Sequence, residues 1–137
     1  MAKVLALDIG VKRTGVAETD FMQIIASGLT TIMTQDLMKF LTDYISDENP
    51  DSLVIGEPRR MHGVHSDVEE FIKKKIKLIS SKFPDLRIYR VDERFTSKLA
   101  SQAISQSGMS KKKRQNKALI DEVSAVIILQ TWLNRLS

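Results

Sequence analysis

Three stretches far apart in the chain carry carboxylates where they could do chemistry. Asp8 stands near the end of the apolar run Val4 to Ile9, where a carboxylate is poorly solvated. It reads either as a metal ligand projecting from the end of a central strand or as an Asp that caps the turn before Gly10. Asp92 and Glu93 follow a second apolar run. Side chains alternate along a strand, so both cannot aim at one point unless the chain turns there, and one of them should face the site. Asp121 and Glu122 open a long apolar helix, where favourable interaction with the helix dipole, worth ~0.3–1 kcal/mol, is the ordinary reading. Helical projection places Asp121 near Ser124, Ala125, Ile128 and Trp132, and Glu122 among Val126, Leu129 and Leu133, without choosing between them. The chain has no cysteine, so a metal would be held by oxygen or histidine, which points to Mg2+ or Mn2+. His62 and His65 share one loop without a matched partner and read better as solvated than as ligands.

Cations are distributed unevenly around these acids. Residues 1–58 carry 4 Lys/Arg against 9 Asp/Glu, whereas residues 59–117 carry 16 against 6. A basic excess confined to part of a small chain attracts polyanions by steering and counterion release, so nucleic acid is the leading partner, beside the plainer reading of a solubilising surface. Lys111, Lys112, Lys113, Arg114 and Lys117 fall within seven residues that contain no acid, a density that suits phosphate contacts. Arg59 and Arg60 follow Gly56-Glu57-Pro58 and could grip phosphates or form a solvated turn. Lys73, Lys74, Lys75 and Lys77 read as the solvated face of a helix. Arg13, close to Asp8, either contacts the reacting region or pairs with a carboxylate.

The elements that must position these residues follow from periodicity and turn chemistry. Residues 3–9 and 14–19 read as paired strands, with Gly10 and Gly15 shaping the turn between them, and the β-branched content of residues 23–32 predicts a third strand. Thr34 is the expected N-cap of a helix that runs to Asn49-Pro50. Residues 52–56 suit a buried strand parallel to the first. A helix over 66–83 follows, with Ser66 and Glu69 as a capping box, then a strand over 86–91. Helices are expected over 97–105 and 118–136, the last apolar most of the way around and so largely buried.

At 137 residues the chain is expected to form a single domain, with no repeat or linker. No run suits a signal peptide or a membrane span, and the absent cysteines suit a reducing cytoplasm. Three antiparallel strands followed by alternating helices and parallel strands give an α/β domain with a mixed sheet flanked by helices, the ribonuclease-H-like arrangement. In it Asp8, Glu93 and Asp121 could converge at one end of the sheet, where clustered carboxylates repel one another unless cations join them.

Four segments, in order, carry a family resemblance: Leu7-Asp8-Ile9-Gly10 with Arg13-Thr14-Gly15-Val16-Ala17; Val54-Ile55-Gly56-Glu57-Pro58 with Met61-His62-Gly63; Val91-Asp92-Glu93-Arg94-Phe95-Thr96-Ser97; and Asp121-Glu122-Val123-Ser124-Ala125-Val126-Ile127-Ile128-Leu129-Gln130. With these the chain resembles the YqgF/RuvX family, the Holliday junction resolvase or pre-16S rRNA nuclease group, over essentially its whole length. The resemblance implies an active site of Asp8, Glu93 and Asp121, with Asp92 as an additional acid, holding two Mg2+ or Mn2+ ions for phosphodiester hydrolysis. It also implies a nucleic-acid substrate held by Arg13, Arg59, Arg60, Lys111, Lys112, Lys113, Arg114 and Lys117. Expected substrates are precursor small-subunit rRNA, with ribosomal precursor particles as partners, or a four-way DNA junction, acted on by a monomer or homodimer with no membrane partner. The chain departs from the family pattern where Glu57, Arg59, Arg60 and His62 occupy the second motif's loop, which bears on substrate preference. Two rivals are a phosphate-binding ATPase of the sugar-kinase and actin class, disfavoured because that class closes two such domains around its nucleotide, and a non-catalytic RNA-binding ribosome-assembly protein.

Overall fold

Val4–Ile9 is apolar at nearly every position because both of its faces are covered, as a central strand requires. In the computed structural model, which describes residues 2–58, 67–92 and 117–135, this segment is strand β1 of a five-stranded sheet. Strand β2 (Arg13–Thr19), strand β3 (Ala26–Met33), a 3-10 turn (Thr34–Asp36) and helix α1 (Leu37–Glu48) follow. Strand β4 (Ser52–Glu57), helix α2 (Asp67–Lys82), strand β5 (Arg87–Asp92) and helix α3 (Lys117–Asn134) complete the described elements. The sheet order is β3-β2-β1-β4-β5, with β1, β2 and β3 antiparallel and β4 and β5 parallel to β1. This is the mixed α/β sheet expected from the order of elements. The predicted Ser66 cap and the helix over 97–105 lie outside the described residues.

Alternation divides the core into two. Leu5, Leu7, Ile9, Leu53 and Ile55 pack with Leu37, Leu41 and Tyr44 of α1 and Ile72 and Ile79 of α2. Val4, Ala6, Ala17 and Val54 meet Ala125, Ile128 and Leu129 of α3 on the other face. Small residues on that second face let α3 lie close to the sheet. The burial of α3 is one-sided: Ser124, Ala125, Ile128, Leu129 and Leu133 are buried, Gln130, Thr131 and Asn134 are exposed, and Val123, Val126 and Ile127 are partly covered. Its hydrophobic circumference therefore overstated its burial. No helix among the described residues is long and apolar enough to cross a membrane.

Three boundaries differ from expectation for local reasons. β3 begins at Ala26, not at Gln23, because the Asp20 carboxylate accepts the backbone N–H groups of Ile24 and Ile25 at 2.8 and 2.9 Å and Gln23 takes φ 58°. Those bonds, the one from Ile25 foremost, hold the Asp20 carboxyl below its usual range. Thr34 does not cap α1. Its hydroxyl bonds the Gly10 carbonyl at 2.7 Å and the Thr14 hydroxyl at 2.9 Å, which spends it on the first hairpin. α3 begins at Lys117, so Asp121 and Glu122 lie beyond its first turn, where the dipole's pull on an acid has faded.

Candidate functional site

The site is built on the turn between β1 and β2. Gly10 donates its N–H to the Arg13 carbonyl at 2.9 Å, and the Thr34 N–H bonds the Lys12 carbonyl at 2.9 Å. With the buried Thr14 and Thr34 hydroxyls, these bonds fix the hairpin end that carries Asp8 and Arg13. Asp8 pairs across the ladder with Gly15 and, two residues after Ala6, shares the α3 face of the sheet. It is partly buried.

Gly15 lies inside β2 and does not shape the turn, as had been expected of it. Its function is steric. A Cβ there would overlap the Asp121 carbonyl and come within 3.0 Å of the Glu122 nitrogen. The missing side chain is thus the seat of the α3 backbone, and it brings Asp121 to the strand position beside Asp8. Gly28 of β3 receives the Glu122 side chain in the same way. Glu122 therefore stands over the far edge of the antiparallel ladder, and Asp121 over its centre. The two acids, which helical periodicity does not separate, thus lie over different strands, Asp121 above Gly15 of β2 and Glu122 above Gly28 of β3.

Arg13 donates from Nε to Asp121 Oδ2 at 2.8 Å across 108 residues of sequence. Of the two readings left open for Arg13, pairing with a carboxylate is observed. The side chains are 28% and 25% exposed, so the pair lies at the surface of the site and is not sealed within it. Lys117 stands exposed at the start of α3, one helical turn before Asp121.

Asp92 falls on the other side of the sheet. In β5 the Ile88 side chain belongs to the core of α1 and α2 and Arg90 reaches α2, so alternation gives Asp92 their face, opposite Asp8. It is exposed and in register with Glu57. Glu93, Arg59, Arg60, His62, His65, Lys111, Lys112, Lys113 and Arg114 lie outside the described residues. Among the described residues no three acids or histidines group as metal ligands. Asp8 and Asp121, whose backbones both lie against Gly15, offer carboxylate oxygens without sulfur or imidazole, the donor type that suits a hard divalent cation such as Mg2+ or Mn2+.

Sequence reasoning missed an ion pair behind the site. Glu69 of α2 is fully buried and takes Arg90 in a two-pronged contact, Nη2 to Oε1 at 2.6 Å and Nη1 to Oε2 at 3.1 Å. The same guanidinium donates to the carbonyls of Ile55 at 3.2 Å and Gly56 at 2.9 Å. It thereby ties the ends of β4 and β5 to α2. An acid on the apolar side of a helix was the available signal: Glu69 stands three residues before Ile72, in the stripe that continues to Ile79.

Comparison with known proteins places this geometry in context. The family model described as RuvX, Holliday junction resolvase, matches residues 2–135. A protein of Christiangramia forsetii named "Putative pre-16S rRNA nuclease" is 54% identical over 133 residues, covering 97% of this chain and 98% of its own. A protein of the same name from Porphyromonas gingivalis is 48% identical over 134 residues, covering 98% and 97%. Among solved structures, Thermus thermophilus RuvC in complex with a Holliday junction substrate superposes with a TM-score of 0.58 at 11% identity, over 100% of this chain and 97% of that one. A second Thermus thermophilus RuvC structure gives 0.53, also at 11% identity, over 98% and 96%. At that identity the likeness concerns the fold, which is ribonuclease-H-like.

Proposed function

As the chain belongs to the RuvX family of Holliday junction resolvases, we propose that residues 1–137 act as one metal-dependent endonuclease domain that processes the 5′ end of pre-16S rRNA in the cytoplasm. One observation carries the reading. The seating of Asp121 on Gly15, the cross-strand partner of Asp8, brings together two acids from opposite ends of the chain. A turn-capping Asp8 would need no such partner.

In this reading Asp8, Asp121 and Glu93 hold two Mg2+ or Mn2+ ions through carboxylate oxygens. The position of Asp92 on the opposite face supports Glu93 as the third acid. Bound divalent ions supply an attacking water of lowered pKa and stabilise the leaving oxygen. The chain's own work is positioning: β1 fixes Asp8 at the sheet's centre, Gly15 fixes the height of α3 and therefore Asp121, and Arg13 holds the Asp121 carboxylate. No Ser or Cys nucleophile is required. Arg59, Arg60, Lys111, Lys112, Lys113, Arg114 and Lys117 hold flanking phosphates, which gives affinity and register without base identity.

The name shared by the relatives supports RNA as substrate, and precursor ribosomal particles as partners. The description of the family supports a four-way DNA junction as the second reading. Junction resolution calls for two coordinated sites, so it requires a homodimer, whereas rRNA trimming does not. A side-by-side assay on a pre-16S 5′ leader and a four-way junction, with Mg2+ and with Mn2+, tests both. The expected result is metal-dependent cleavage of the leader, reduced at least about 100-fold in Asp8→Asn while binding persists. Tight binding of both substrates with cleavage of neither would sink the enzyme reading in favour of a non-catalytic assembly factor.

A further inference from the structure

Arg13 presents its guanidinium in an unusual division of labour. Nε is spent on Asp121 Oδ2 at 2.8 Å, and among the described residues this is the one hydrogen bond that its side chain gives. A guanidinium has five donors in a planar fork. With Nε committed, the end-on pair Nη1 and Nη2 remains, and the side chain is 28% exposed. Arg90 makes the contrast plain, since its fork is consumed by Glu69 and two backbone carbonyls.

The placement of Arg13 gives that fork a direction of use. It shares the α3 face with Gly15 and Asp8 along β2, and the braced turn from Gly10 to Thr34 limits its backbone freedom. Lys117 adds an exposed cation one helical turn from Asp121. A planar, two-pronged donor beside a carboxylate cluster matches the two non-bridging oxygens of a phosphodiester.

We infer that Arg13 is a bridging residue: Nε orients the Asp121 carboxylate, while Nη1 and Nη2 grip one phosphate of the bound nucleic-acid backbone at the reacting centre. The inference rests on the nuclease reading for its catalytic half and on charge geometry alone for its binding half. A lysine can neutralise that phosphate but has a single ammonium and cannot serve both groups.

The experiment separates the two halves. Binding of a fluorescein-labelled RNA stem-loop with single-stranded flanks is measured in EDTA at several salt concentrations for wild type, Arg13→Gln and Arg13→Lys. Cleavage of the same probe is then followed with Mg2+. Loss of one phosphate contact lowers the magnitude of the slope of log K against log[salt] by about 0.7 to 0.9. Arg13→Gln is expected to show that drop and to lose turnover. Arg13→Lys is expected to keep the wild-type slope and still lose at least about tenfold in kcat, whereas a purely structural pair would leave the slope unchanged in Arg13→Gln as well. An unchanged slope in Arg13→Gln, or wild-type kcat in Arg13→Lys, overturns the inference. If the wild-type chain binds with a measurable slope but never cuts, the nuclease reading fails, and the slope of Arg13→Gln still decides the phosphate contact. A wild-type chain that does not bind the stem-loop overturns both.

Discussion

Arg90 and Arg13 each hold a carboxylate, on opposite faces of the sheet, and the two contacts differ in the burial of the acid and in the number of hydrogen bonds. Glu69 is completely buried and meets Arg90 through two hydrogen bonds, with two further donors on the Ile55 and Gly56 carbonyls. Asp121 is 25% exposed and meets Arg13 through one. A buried charge that loses its partner is left in low dielectric, whereas an exposed one is rehydrated. The first pair is therefore architecture and the second is an adjustable contact at a working surface.

The sharpest way to break this comparison is to remove one arginine at a time. Arg90→Ala should destabilise the fold by about 3–5 kcal/mol, because the buried Glu69 carboxylate loses its cationic partner. Arg13→Gln should cost no more than about 1 kcal/mol. Urea unfolding of both variants checks the pair, and equal losses would dissolve the distinction. Gly15→Ala comes next. The added methyl must lift the start of α3, at about 1–3 kcal/mol by the usual cost of overpacking. It should also lower metal-dependent cleavage by more than its loss of folded protein explains, since Asp121 moves with the helix. A Gly15→Ala variant with normal stability and full activity would mean that α3 is not held at this height.

The smallest effect concerns Asp20, whose carboxyl is held below its ordinary value of 3.8 by the Ile25 and Ile24 amides. A depressed folded pKa contributes stability that is present above the unfolded value and is lost as pH falls through the folded one. Acidification below pH 3.8 should therefore release the Ile24 and Ile25 amides to hydrogen exchange before the β1 amides open. Simultaneous exchange at both places would contradict that reading of the turn.

Much of this architecture was legible in the chain itself. The central strand announced itself because both of its faces are apolar, and Pro50 and Pro84 stand close beyond the ends of the two helices that precede parallel strands. What escaped was whatever depends on a partner distant in sequence. Ile24 and Ile25 have the composition of strand residues, yet one carboxylate at Asp20 captures their amides. Thr34 looked like a helix cap until Gly10 and Thr14 claimed its hydroxyl. Gly15 read as a turn residue because nothing nearby reveals a helix arriving from more than 100 residues away. Glu69 and Arg90 carry no mark of one another in sequence. Periodicity left Asp121 and Glu122 open and the family resemblance implied Asp121; the structure adds that the two sit over different glycines, which no local signal reveals.

The proposed function requires that Asp8 and Asp121 share one cation site and that Glu69, equally acidic, lies outside it. Calorimetric titration of Mn2+ into wild type, Asp8→Asn and Glu69→Gln tests it directly. The account predicts binding by wild type and by folded Glu69→Gln, and its loss in Asp8→Asn. Undiminished Mn2+ binding by Asp8→Asn would contradict it.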